Sequence, residues 1–162
     1  MTSALTSTAV ETLIPAALRT RLAGQLINEH SGMTGDEAVR IVDQAVAFLK
    51  TCVDNPGKHF RPSRKVDLGW HQFILNTVDY AEFCQRVAGY FIHHVPDEFT
   101  SPGGGSAETA RVLSPTVEAM RASGFVVDAE LWSVVPGQCT QCHQGCTNCG
   151  QGDGVLRLGM RG

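Results

Sequence analysis

From Val10 the apolar positions recur at helical spacing. Val10, Leu13, Ile14, Ala17, Leu18, Leu22 and Leu26 share one face, and the pattern reaches Ile27. Pro15 lacks a backbone N–H, so it belongs in the first turn of the regular helix, which His30-Ser31-Gly32 ends. Residues before this, up to Thr8, read as a frayed end. Thr34 and Glu37 stand three apart, as in a capping box, and mark a second start. Ala38, Ile41, Val42, Ala45, Val46, Leu49 and Val53 then form a stripe running to about Cys52. Asn55-Pro56-Gly57 is its stop.

Lys58 to Lys65, KHFRPSRK, is a basic connector, read as a solvated loop rather than an anion site. It leads into the stretch around which the chain is organised, Val66 to Pro96. This reads as two helices joined by a tight polar turn at Asn76-Thr77, with Thr77 as cap of the second. In the first, Trp70, Phe73 and Ile74 supply packing. In the second, Tyr80, Phe83, Cys84, Val87 and Phe91 make the buried stripe, His94 continues it and His93 falls beside it. Pro96 to Gly105 is a glycine-rich loop. Ala107 to Ser123 is helical in composition, and Ser114-Pro115 predicts a second helix start there. Asp128 caps a short turn that docks Leu131 and Trp132. No segment alternates with period two, and there is no internal repeat. The pattern therefore predicts an all-α body of five or six helices at 1–135. An irregular Cys/Gly-rich tail follows at 136–162.

Composition narrows the classes. A chain of 162 residues with 43% hydrophobic content suits one domain with its own core. A net charge of −3 argues against a nucleic-acid binder or an anionic-membrane binder. No run of eighteen apolar residues predicts a transmembrane helix, and the N-terminus lacks the pattern of a secretory signal. The expected compartment is the cytosol, where thiols stay reduced. Six cysteines there point to metal or redox chemistry.

The stretch VDLGWHQFILNTVDYAEFCQRVAGYFIHHVP resembles the glycine-rich domain-containing protein-like family. The residues that carry the likeness are Val66, Asp67, Trp70, His71, Ile74, Leu75, Thr77, Tyr80, Phe83, Cys84, Gly89, His93, His94 and Pro96. Phe73 departs from it, because such sequences often carry a second histidine after Trp-His. The resemblance covers about thirty residues, extends loosely back through FLKTCVDNPGKHFRPS, and implies a small helical fold.

Two constellations carry chemistry. The tail run CTQCHQGCTNC offers Cys139, Cys142, His143, Cys146 and Cys149. Each Cys-x-x-Cys turn sets two thiolates on one side, which suits tetrahedral Zn²⁺. An iron–sulfur cluster and Cu(I) are the other soft-metal readings. Cys139, Cys142 and His143 also match the attachment pattern of haem c, a remote reading because attachment needs export. The second constellation lies in the helical pair. Asp67 and His71, four apart, share a helix face, and with His93 and His94 they form a second candidate metal cluster. If the two helices pack antiparallel, His71 lies level with Cys84, while His94 would need a splayed crossing to reach it. Asp67, His71 and Cys84 are thus the catalytic candidates, through a His–Cys pair. Against these stands a plain structural role, with Cys84 a small core residue and the histidines at a helix end. Cys52, His30 and His59 stand apart from both clusters.

The leading expectation is a soluble, helical, zinc-binding protein using the tail. A thiol- or metal-dependent enzyme joining the helical pair to the tail is the first alternative. A module that engages a protein partner through its Gly-rich end is the second.

Overall fold

Twelve of the twenty residues of the second long helix are buried, and they include the unbroken run from Ile41 to Leu49. A helix with a single apolar stripe leaves its other faces wet; one buried over consecutive positions is packed on several sides. That helix is the hub of an all-α fold. The structure is a computed structural model that describes residues 9–96, 106–133 and 144–145. After a helical turn at 9–11 come α1 (Ala16–Glu29), α2 (Gly35–Asp54), α3 (Arg64–Leu75), α4 (Thr77–Val87) and α5 (Ser106–Ala122). Helices α1, α3 and α5 pack on α2, and α3 also meets α1 and α4. Two short segments, β1 (Val95–Pro96) and β2 (Gln144–Gly145), pair antiparallel, with Val95 opposite Gly145.

The first two helices follow their apolar patterns. Val10, Ile14, Leu18, Leu22 and Leu26 are all buried. Pro15 is the N-cap of α1, where its missing N–H costs nothing. The Thr34 side chain accepts from the Glu37 amide at the start of α2. The Glu37 carboxylate accepts from Lys65 of the basic connector, at 2.6 Å, so that connector is partly anchored. At the far end of the connector Ser63 caps α3: its hydroxyl accepts from the Val66 amide and donates to the Leu131 carbonyl at 2.6 Å.

Helix α3 lies unusually close to α2, and Gly69 is the reason. A Cβ built there would stand 2.9 Å from both the Ile41 carbonyl oxygen and Ile41 Cγ2. Only a hydrogen fits between the two backbones at that crossing.

Gln44 is buried on α2 among apolar neighbours and clamps the chain beyond α5. It donates to the Val126 carbonyl at 2.9 Å and accepts from the Asp128 amide and from Trp132 Nε1, at 3.2 and 2.8 Å. Asp128 caps its own turn, as expected, by accepting from the Glu130 and Leu131 amides.

Three local expectations are corrected. Thr77 does not cap α4: the N-cap is Asn76, which makes no side-chain cap bond and instead gives its amide to the Gln25 side chain and the Gln72 carbonyl. Ser114-Pro115 does not start a second helix, because α5 runs through Pro115. Leu113, Thr116 and Met120 form one buried stripe across the proline, and their packing outweighs the missing backbone bond. Finally, α4 ends at Val87 instead of continuing through Phe91. Gly89, at φ +77°, turns the chain, and the Ala88 and Gly89 amides close onto the last carbonyls of the helix.

Candidate metal centre

The site begins with an ordinary helical spacing. Asp67 and His71 are one turn apart on α3, so their side chains lie on the same face. The Asp67 carboxylate faces inward, with its side chain only 5% exposed, and His71 Nδ1 stands 3.5 Å from it. The His71 side chain is 39% exposed, so this edge of the site is open to solvent.

The third member arrives through the glycine turn. After Gly89 the chain doubles back, Ile92 plugs into the core, and His94 is delivered onto α3. Its Nε2 lies 2.9 Å from Asp67 Oδ1. Its ring rests on Trp70 with centroids 4.2 Å apart and on His71 at 4.5 Å. His71 and His94 meet without the expected splayed crossing, because His94 is not on a helix.

Behind the site runs a buried polar relay. Trp70 Nε1 donates to the Tyr80 hydroxyl at 2.9 Å, and that hydroxyl donates to the Ile92 carbonyl at 2.7 Å. Burial first of all pushes the Tyr80 phenol up, so it stays protonated and able to donate.

An ionised carboxylate taken out of water costs several kcal/mol unless charge or hydrogen bonds compensate it. Asp67 has two imidazoles for this purpose. Among the described residues, Asp67, His71 and His94 form a set in which one ligand atom from each lies within 4.8 Å of the others. Two imidazoles and a carboxylate are the donor types of zinc and other divalent transition metals. Tetrahedral zinc with bonds of ~2.1 Å holds its donors roughly 3.4 Å apart, and the Asp67 carboxylate lies 2.9 Å from His94 Nε2 and 3.5 Å from His71 Nδ1. The residues present therefore fit a metal ion, which Asp67, His71 and His94 would hold and which would supply Lewis-acid chemistry there.

The remaining candidates separate from this set. His93 is exposed, its ring beside Phe91 at 4.9 Å, and it is not one of the converging donors. Cys84 is fully buried against the Tyr80 hydroxyl and the Ile92 backbone, and burial pushes its thiol up, away from the thiolate form a nucleophile needs. It does not join Asp67 and His71. Cys139, Cys142, His143, Cys146 and Cys149 lie outside the described residues. Gln144 and Gly145, between two of those cysteines, pair with the residues that directly follow His94. Sequence reasoning assigned Trp70 and Tyr80 to packing alone. The signal for more was their chemistry: both carry a polar atom that must find a partner when buried.

Fold and site together define a small all-α protein with a carboxylate and two imidazoles converging where the returning loop meets α3. The chain belongs to the UCP032817-like family, whose model matches residues 9–112 and so spans all three donors. The family is uncharacterised and lends no activity. No curated protein and no solved structure matches the chain. Among the described residues, no helix is long and apolar enough to cross a membrane.

Proposed function

We propose that this protein binds a divalent transition-metal ion, zinc before others, through Asp67, His71 and His94. The observation that carries the reading is the convergence of one ligand atom from each onto a buried carboxylate.

The tail is a second proposed site, on its spacing alone: Cys139, Cys142, Cys146 and Cys149, with His143 as the alternative ligand. Reduced thiols at that site suit the cytosol. On this division the helical body at 1–135 folds without the tail.

Metal analysis of untagged protein, with two variants, tests both sites. Asp67→Asn should remove one equivalent of zinc and leave the tail equivalent. Cys142→Ser should do the reverse and leave the helical circular dichroism unchanged with or without chelator, since metal-coupled folding is confined to the segment supplying the ligands. If Asp67→Asn leaves the metal content unchanged, Asp67, His71 and His94 are not a metal site. If chelation unfolds the whole chain, the division of body from tail is wrong.

A further inference from the structure

We infer that Tyr80 is a positioning residue for the metal centre, acting on His94 through the Ile92 carbonyl; the inference rests on the metal reading above. His94 lies on a loop, and a loop side chain has no helix to fix its direction. Besides the approach of its Nε2 to Asp67 and the contact with the His71 ring, two contacts do so. The Trp70 ring packs against the imidazole, at 4.2 Å between centroids and tilted by 50°. The Tyr80 hydroxyl holds the backbone two residues before it by donating to the Ile92 carbonyl at 2.7 Å. The same hydroxyl accepts from Trp70 Nε1 at 2.9 Å, so one oxygen sets both the indole under His94 and the chain that carries it.

The geometry shows what each atom is for. Ile92 and Tyr80 are fully buried, so no water can replace the bond. Removing the hydroxyl leaves the Ile92 carbonyl and the indole N–H unsatisfied together, and the cheapest relief is movement of the loop. Movement of the loop takes His94 Nε2 away from Asp67. Partners behind a metal ligand typically change metal affinity ~10–100-fold when removed.

The test uses the full-length chain carrying Cys139→Ser, Cys142→Ser, Cys146→Ser and Cys149→Ser, so that zinc reports on one site. Zinc affinity is measured for that protein, for Tyr80→Phe and for Phe83→Leu. The last removes core packing from α4 at a residue that makes none of the relay's hydrogen bonds, and so serves as the control for lost stability. Tyr80→Phe should weaken zinc binding by ~10–100-fold, while Phe83→Leu should leave it within about twofold at similar loss of stability. Equal losses in both variants, or no loss in Tyr80→Phe, would overturn the positioning role. A second readout needs no metal. With its ring centroid 4.2 Å from that of Trp70, His94 should carry an indole ring-current shift on its ring protons. Tyr80→Phe should abolish that shift in the metal-free protein and Phe83→Leu should keep it. If the parent binds no zinc but the shift still depends on the Tyr80 hydroxyl, the metal reading fails and the positioning of His94 stands. If the shift survives in Tyr80→Phe, the positioning fails.

Discussion

Two buried carboxylates, Asp43 on α2 and Asp67 on α3, receive opposite treatment from the fold. Asp43 is 7% exposed and Asp67 3%. Asp43 is met by Arg19 of α1 in a two-pronged pair, Nε to Oδ1 and Nη2 to Oδ2. The guanidinium is always charged, its fork matches the carboxylate, and the hydrogen bond to Asp43 is the main cause that raises its pKa further. Nothing is left for a ligand to do there. Asp67 is met by two imidazoles, groups that carry charge only when protonated. Its compensation is conditional, so a metal ion can take the place of a proton. A buried acid with a permanent cation reads as structure. One met by groups whose charge is conditional reads as a site.

The largest break in this comparison should come from Trp70→Ala. Trp70 is fully buried and supports His94, so its loss should cost about 3–5 kcal/mol and weaken zinc binding together. Urea denaturation alongside zinc titration checks both, and the Arg19–Asp43 pair gives no protection against either effect. Next, Arg19→Ala leaves Asp43 buried without its cation and should cost ~3 kcal/mol in the same denaturation experiment, the low end for a partly exposed pair. Zinc affinity should not change, since Arg19 is not among the donors. A matched fall in affinity would mean that the two carboxylates are coupled through α2 and α3. A somewhat smaller effect sharpens the contrast. Zinc at a hundred times its Kd should stabilise the protein carrying the four tail serines by about 2.7 kcal/mol and its Asp67→Asn derivative by almost nothing. Without metal, Asp67→Asn should lie within about 1 kcal/mol of its parent, because an amide still accepts from His94 and no permanent cation is stranded. A loss above about 3 kcal/mol without metal would place Asp67 with Asp43 as a purely structural acid.

Much of this was legible in the chain. The stripes of α1 and α2 predicted most of their buried positions, although Ala17 is exposed and the buried Ala23, Ala47 and Phe48 lie outside them, and the spacing of Asp67 and His71 predicted a shared face. His94 reads as a continuation of the helix, because Val87, Phe91 and His94 keep helical spacing and so conceal the end of α4. Gly89 was the available signal, a glycine just past the last helical residue. The continuity of α5 was hidden for the opposite reason: proline is a strong local stop, and only the packing of Leu113, Thr116 and Met120 overrides it. Asp43 and Gln44 are polar and lie outside the apolar stripe of α2, yet both are buried. Their burial depends on Arg19 and on the segment at Val126 to Trp132, which are distant in sequence. The close crossing at Gly69 needed the partner backbone of Ile41 to be seen at all.

The Gln44 clamp has a kinetic consequence. Its three hydrogen bonds join residues 82, 84 and 88 positions apart. Contacts that close so long a loop are made after the local helical contacts, since the entropy of closure precedes their reward. The segment from Phe125 to Trp132 should therefore dock late in folding and let go early in unfolding. Gln44→Ala should speed unfolding and leave the folding limb of the chevron nearly unmoved, with a φ-value near zero. The clamp governs how long the native state lasts once formed rather than how fast it is reached.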